Sequence, residues 1–214
     1  MSEIKEIWKP LSVKEIQCIF DQMSLHWWIA GGWALDLHLN RITREHDDID
    51  VLILRSEHLL LQKYLSADWE GYKAFKGKLI PWNMNEKLDN QFDNLWFKKK
   101  EESTWAFQVM IIDCEDDYWI YKRNGTIRRK RSDIGLTTSA EVPYLKPEIQ
   151  LLYKGGSSLI REKDQLDLEN VLATLDDVSR EWLRDSLTIQ YPNGHPWIER
   201  INVYIESSQN MKRE

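Results

Sequence analysis

The fold is decided by two neighbouring stretches, which read WIAGGWALD over residues 28–36 and RITREHDDIDV over residues 41–51. The first predicts a short apolar strand followed by a short helix, with a break at Gly31 and Gly32. The second leads into DIDVLIL, a short β-branched run bounded by charges, which predicts a strand over Asp48–Leu54. A strand, a glycine break, a helix and a second strand therefore follow one another closely.

The second stretch carries two aspartates, Asp48 and Asp50, separated by one apolar residue. Side chains alternate faces along a strand, so these two carboxylates share a face and lie about 6.6 Å apart along the strand. Burying part of this negative charge is costly unless a cation joins it, and paired carboxylates with phosphate oxygens are a common way of holding Mg²⁺. The pair therefore points to phosphoryl or nucleotidyl transfer.

The glycine pair complements the aspartates. Glycines between a strand and the start of a helix allow backbone N–H groups to approach a phosphate, and the helix N-terminus adds partial positive charge. Most glycine pairs are ordinary turns, and two aspartates at a strand end are more often solvated than bound to metal. The two features in this order are more specific than either alone, so Gly31 and Gly32 are candidate nucleotide-binding residues.

The whole chain predicts an α+β architecture. Short strand-like runs occupy the region from Asp68 to about Ser132, and helical patterns follow Pro147, which is a residue type favoured at the first position of a helix. The change near residue 140 predicts two parts, residues 1–140 carrying the catalytic sheet and residues 141–214 being helical.

Composition excludes several classes of protein. The 214 residues carry 29 Lys and Arg against 35 Asp and Glu, a formal net charge of −6, which disfavours nucleic acid as a partner. A hydrophobic content of 42% is ample for a packed core. The two cysteines lack metal-binding spacing, and no signal peptide or membrane span is visible, so we expect a cytoplasmic protein without a membrane partner.

The pattern of GG, a short helix and DID on a strand resembles the signature of the nucleotidyltransferase superfamily related to DNA polymerase β. The fuller strings GGWALD and RITREHDDIDV resemble the small antibiotic nucleotidyltransferases, especially the aminoglycoside adenylyltransferases that act on a 2″-hydroxyl, with lincosamide nucleotidyltransferases as cousins. The close match covers residues 27–51. The resemblance implies a nucleotidyltransferase fold, with a small mixed β-sheet flanked by helices and a helical region after it.

A second patch, IIDCE over residues 111–115, resembles the family strand that bears a third carboxylate. Read without the family, the apolar residues that alternate up to Asp113 end in an acid, which either runs into solvent or is aimed at a site. The resemblance implies that Asp48 and Asp50 hold metal and that Asp113 completes the metal site or acts as the base on the acceptor hydroxyl.

The implied reaction moves AMP from ATP, as co-substrate, to a hydroxyl group and releases pyrophosphate, with two Mg²⁺ ions stabilising the charge that develops. Arg44 and His46 precede the aspartate pair and are candidates to reach the phosphates, and Lys154 could close over the triphosphate from the other side. For each of these three side chains the alternative is a structural or solvated role.

The acceptor is less well defined by the sequence. Asp113 and the run Glu115–Asp117 place four acids within five residues, which either attract a cationic acceptor such as an aminoglycoside or form a solvated turn. The basic run Lys122–Arg131 either meets phosphates or a nucleic acid, or is a charged strand edge, and we expect the edge. Residues 70–105 lie between the metal strand and Asp113 and are expected to shape the acceptor pocket. Candidates for stacking on a ligand are Trp33, Trp82 and Trp119.

Three functions are compatible with these residues. The leading one is adenylyl transfer to a small molecule, with an aminoglycoside as the expected acceptor. The second keeps the chemistry but modifies a protein side chain, as nucleotidyltransferases of toxin and antitoxin systems do. The third is a nucleotide-binding module without catalysis.

Overall fold

The computed structural model describes residues 7–157 and 159–211. The helices it contains there are α1 Val13–Phe20, α2 Gly31–Leu39, α3 His58–Leu65, α4 Pro147–Gly155, α5 Glu162–Leu172, α6 Asp177–Gln190 and α7 Pro196–Met211. The strands are β1 Trp27–Ala30, β2 Asp50–Leu54, β3 Trp69–Phe75, β4 Lys78–Pro81, β5 Asn94–Lys99, β6 Phe107–Glu115, β7 Tyr118–Ile120, β8 Arg128–Lys130, β9 Gly135–Thr137 and β10 Pro143–Leu145.

The strands form one mixed sheet in the order β4-β3-β5-β6-β2-β1-β10-β9, and the β7–β8 hairpin continues from the far end of β6. The pairs β2–β6 and β1–β10 are parallel, and the other neighbours are antiparallel. The predicted α+β class with a mixed sheet flanked by helices is confirmed, because helices precede, interrupt and follow the strands.

The two faces of the sheet differ in burial. Val51, Ile53 and Val109 point to the core and are completely buried. Asp50 and Gln108 lie on the opposite face, and each is half-buried. This alternation places Asp50 and Gln108 on the face opposite Val51. That face is open at the start of β2, where it carries the candidate site, whereas Leu52 and Leu54 farther along the strand are buried on it.

The helical region begins after the sheet ends. Residues 143–145 form β10, which pairs with β1 inside the sheet, and α4 starts at Pro147 as the sequence predicts. The division of the chain after residue 140 remains a proposal, and it separates β9 from β10, which are hydrogen-bonded neighbours. Within the described residues, every helix is too short or too polar to cross a lipid bilayer.

Candidate active site

Asp50 is the first residue of β2 and Asp48 lies two residues before it, so the strand begins later than the expected Asp48–Leu54. Asp50 is paired with Ala30 of β1 on one side and with Gln108 of β6 on the other. Both aspartates are half-buried, whereas Ile49 between them is completely buried. The charge of Asp48 acts on Asp50, so the two carboxylates lie near each other.

The electrostatics of Asp50 fit a cation site. Burial, followed by repulsion from Asp48, raises the pKa of Asp50 from 3.8 to about 7, although the charges of Lys154, Lys163 and Arg161 act in the opposite direction. Two carboxylates that repel each other in this way are the donor set that Mg²⁺ takes when phosphate oxygens complete its shell. In the described ranges, His, Cys, Asp and Glu side chains form no metal-suited group of three or more.

Gly31 and Gly32 lie where neighbouring side chains approach the backbone too closely for a Cβ atom. Gly31 has φ +66°, and a Cβ there would overlap the Asp50 carboxylate, while a Cβ on Gly32 would overlap the His46 ring. The Gly31 N–H donates to Oε1 of Gln150 on α4, at 2.8 Å. The glycines thus let α2 begin directly against the carboxylates, and their role toward phosphate stays a prediction.

Arg44 and His46 belong to a hydrogen-bonded network beside the aspartates. Arg44 Nη1 lies 3.0 Å from His46 Nδ1, and His46 Nε2 lies 2.6 Å from Oδ2 of Asp36. Since a guanidinium only donates, Nδ1 accepts and Nε2 carries the proton toward Asp36. Arg44 also donates from Nε and Nη2 to the two oxygens of Asp167, each at 3.1 Å. This network ties α2, the segment before β2, and α5 together.

Lys154 joins the same network from α4. Its ammonium lies 2.7 Å from Asp167 Oδ2 and 3.2 Å from Asp164 Oδ1, and the side chain is only 7% exposed. Asp164 also accepts from Arg161 Nε at 2.7 Å. Lys154 is near enough to lower the pKa of Asp50 through its charge. The structure therefore brings Lys154, Arg44 and His46 together with Asp48 and Asp50.

Asp113 does not lie in this group, contrary to the expectation that it completes the metal site or acts as the base. The parallel register pairs Asp50 with Gln108 and Leu54 with Ile112, which places Asp113 five positions farther along β6 than Gln108. At about 3.3 Å per residue, Asp113 lies about 16 Å along the sheet from Asp50. This separation exceeds the reach of one metal ion.

Asp113 instead belongs to an ion-pair cluster at the far end of β6. Arg55 donates to both oxygens of Asp113, with Nη2 3.2 Å from Oδ2, and also donates to Asp93 at 2.7 Å. Arg55 further donates to the carbonyl oxygens of Asp89 and Phe92. The cluster fastens the segment between β4 and β5 to the ends of β2 and β6, which is a structural role.

The acidic and basic runs also lie at this far end. Arg128 approaches Glu115 at 3.6 Å, and Arg131 approaches Asp117 at 3.5 Å, with the acidic partners largely exposed. The two runs face each other across the β6–β7–β8 segment, away from Asp50. This arrangement supports the solvated interpretation of both runs.

The three tryptophans chosen from the sequence are not open stacking surfaces. Trp119 is 1% exposed and Trp82 is 7% exposed, so both belong to the core. Trp33 is half-buried, and its ring lies 4.6 Å from the ring of His46. Sequence reasoning missed Asp36, although it stands in the quoted GGWALD string, and it missed Asp167, which only the folded chain brings to Arg44.

The chain is similar in sequence to antibiotic nucleotidyltransferases and to an antibiotic resistance protein. Residues 12–90 match the aminoglycoside-2″-adenylyltransferase family. Over 111 residues the chain is 49% identical to a 2″-aminoglycoside nucleotidyltransferase of Klebsiella pneumoniae, a match covering 50% of this chain and 48% of that protein. Over 159 residues it is 26% identical to a lincosamide resistance protein of Staphylococcus haemolyticus, covering 72% and 88%. The chain thus spans about half the length of the first relative.

Two solved structures share the fold. The lincosamide adenylyltransferase LnuA, lincomycin-bound, has a TM-score of 0.52 at 21% identity and covers 76% of this chain and 98% of its own. ANT(2″)-Ia in complex with adenylyl-2″-tobramycin has a TM-score of 0.53 at 16% identity and covers 85% and 98%. The chain therefore has the nucleotidyltransferase fold, and its similarity to the aminoglycoside 2″-adenylyltransferases and their lincosamide-modifying cousins is confirmed.

Proposed function

We propose that the protein is a Mg²⁺-dependent nucleotidyltransferase that transfers AMP from ATP to a hydroxyl group of a small-molecule antibiotic. The observation that carries this proposal is the carboxylate pair Asp48 and Asp50 on the open face, with the pKa of Asp50 raised to about 7. Relatives of the chain are named for aminoglycoside and lincosamide substrates, so these two classes are the acceptors to test.

The reaction forms one bond and breaks one. The acceptor oxygen attacks the α-phosphorus of ATP, the bond from that phosphorus to the bridging oxygen breaks, and pyrophosphate leaves with that oxygen. The acceptor proton passes to solvent. Asp48 and Asp50 would hold Mg²⁺, which when bound stabilises the negative charge that develops on the phosphate oxygens. These two residues supply protein ligands for one ion, so a second ion would depend on phosphate and water oxygens.

Cationic side chains near the pair favour a nucleotide triphosphate. The charges of Lys154, Lys163 and Arg161 all act on Asp50, so a triphosphate bound at the carboxylate pair would have positive charges near it. Lys154 is already paired with Asp164 and Asp167, which holds its ammonium in place before the nucleotide binds. The proposed nucleotide-binding residues are Gly31, Gly32, Arg44, His46 and Lys154. We place the reaction in the cytoplasm, where ATP is supplied and where Cys18 and Cys114 would stay as free thiols.

The test is turnover with a defined acceptor. Purified protein is incubated with MgATP and either tobramycin or lincomycin, pyrophosphate is measured, and the product is examined by mass spectrometry for added AMP. We expect a product with one of them and none after Asp50→Asn. Label from ATP found on lysate proteins, without small-molecule product, would replace the acceptor with a protein. An Asp50→Asn protein that binds and reacts like the wild type would refute catalysis by this site.

A further inference from the structure

A row of side chains crosses the open face of the sheet from the carboxylate pair. Asp50 is in register with Gln108 of β6, Gln108 with Trp96 of β5, and Trp96 with Tyr72 of β3. Residues paired across strands point to the same face. With strands about 4.8 Å apart, this row extends about 14 Å from Asp50 to Tyr72. We call Gln108, Trp96 and Tyr72 the acceptor row.

The aromatic members of the acceptor row are held in place from the side. The Trp96 ring lies 4.8 Å from the ring of Trp8 and 5.6 Å from that of Trp105, and the Tyr72 ring lies 5.3 Å from Trp105, all edge to face. Trp96 and Tyr72 are half-buried, and within the described residues neither packs against the main hydrophobic core. Large half-exposed rings outside the core are suited to binding a ligand.

Gln108 is in register with Asp50, so it occupies the position on β6 from which a third carboxylate could reach the pair. Its Nε2 donates to Oδ1 of Asn94 at 3.1 Å, which leaves Oε1 to accept a hydrogen bond. An amide does not remove a proton at neutral pH, but its carbonyl oxygen can orient a hydroxyl group that lies beside Asp50. The position is therefore suited to binding the acceptor hydroxyl.

A cavity of about 380 Å³ adjoins the acceptor row on the same face. Leu52, Asn94 and Met110 line it from the sheet, and Tyr153 lines it from α4. Its charged lining residues are Asp93, Asp113, Lys122 and Arg123. This volume lies in the range of small-molecule sites. Asn94, which accepts a hydrogen bond from Gln108, lines the cavity, so a compound seated on Trp96 has room for a substituent beyond Asn94.

The acceptor row carries little charge. Its members are uncharged, and at its far end Glu70 and Lys98 neutralise each other at 3.0 Å. The exposed acids of Glu115–Asp117 lie beyond the other end of β6 and face arginines. In the adjoining cavity, Asp113 is paired with Arg55 and Asp93 with Lys122. These acids are already neutralised, so binding here depends on stacking and hydrogen bonds.

Resting on the proposed function, we propose that the acceptor row binds the acceptor and takes a hydroxyl-bearing, sugar-like ring with few positive charges. The ring stacks on Trp96, and its reacting hydroxyl donates to Oε1 of Gln108 beside Asp50. Among the antibiotics above, lincomycin matches this description better than the polycationic tobramycin.

The test separates the KM of the acceptor from the KM of ATP. Trp96→Ala should raise the acceptor KM about tenfold or more with the KM of ATP unchanged, and Trp96→Phe should restore most of the loss. Trp28→Ala is the matched control, because Trp28 is a half-buried tryptophan of β1, in the same sheet but outside the row. Gln108→Ala should lower kcat at saturating acceptor.

Calorimetric binding of lincomycin and tobramycin to wild type and Trp96→Ala, without nucleotide, distinguishes the two proposals. Lincomycin binding that Trp96→Ala abolishes supports the acceptor row even if the wild type shows no turnover, which would refute the proposed function alone. Turnover with an acceptor KM that Trp96→Ala leaves unchanged refutes the row alone. A wild type that prefers tobramycin in both assays refutes the low-charge acceptor, and one that neither binds nor reacts refutes both proposals.

Discussion

Replacing Asp113 by Asn should weaken the fold slightly and leave the reaction almost unchanged. Asp113 is 35% exposed, and its partner Arg55 keeps Asp93 and two carbonyl oxygens when the carboxylate becomes an amide. A partly screened ion pair of this kind contributes about 1 kcal/mol. For a chain of this length we therefore expect a fall in Tm of about 2–4 °C. Because Asp113 lies about 16 Å from Asp50 along the sheet, kcat/KM should stay within about twofold.

The assay pairs two substitutions that each turn one Asp into Asn. Asp113→Asn and Asp50→Asn are compared for thermal unfolding and for pyrophosphate release with saturating MgATP and the best acceptor. We expect Asp50→Asn to lose at least about 10³-fold in kcat, as expected for removal of a metal ligand at the reacting phosphate. A loss of that size in Asp113→Asn, with Tm unchanged, would refute the register argument and return Asp113 to the site.

Three further predictions concern the candidate site. Asp50→Asn should raise the Tm of the metal-free protein at pH 8, because a carboxyl whose folded pKa is about 7 is ionised at a cost above that pH, and the amide removes the cost; an unchanged or lower Tm would contradict this. Gly31→Ala should cost at least about 2 kcal/mol in unfolding free energy, since φ is +66° and the Cβ overlaps Asp50, and adding Asp50→Ala should recover part of the loss in denaturant melts. The pKa values of Asp164 and Asp167 are lowered, because hydrogen bonds and charges from neighbouring Lys and Arg outweigh the opposing effect of burial. Their contribution to stability is therefore complete above the ordinary carboxyl range and is lost as pH falls through the lowered values, so Asp167→Asn should flatten the Tm profile between roughly pH 5 and pH 2.

The features that sequence could predict are those set by neighbouring residues. The break at Gly31 and the strand that carries Asp50 follow from spacing within residues 27–51, and the structure has them, although the strand begins at Asp50 and not at Asp48. The partners of Arg44 could not be predicted in this way. Asp167 lies 123 residues along the chain, and only the packing of α5 beside α2 brings it to the guanidinium.

The alternation along β6 itself indicates that Asp113 does not share the phase of Gln108, the residue in register with Asp50. The carboxylate is in phase with Phe107, Val109 and Ile111, which form the buried face of β6. Asp50 is out of phase with Val51 and Ile53 of β2, whereas Leu52 and Leu54, which share its phase, are also buried.

Residues in register on neighbouring strands point to the same side of a sheet. The register pairs Asp50 with Gln108, so Asp113, five positions farther along β6, is out of phase with the partner of Asp50 and lies farther along the strand. The same argument selects the even-numbered residues of β6, and Gln108 is the one that the register sets beside Asp50. The residue next to the carboxylate pair is thus an amide, and the chemistry proposed for the acceptor hydroxyl must start from an amide at that position.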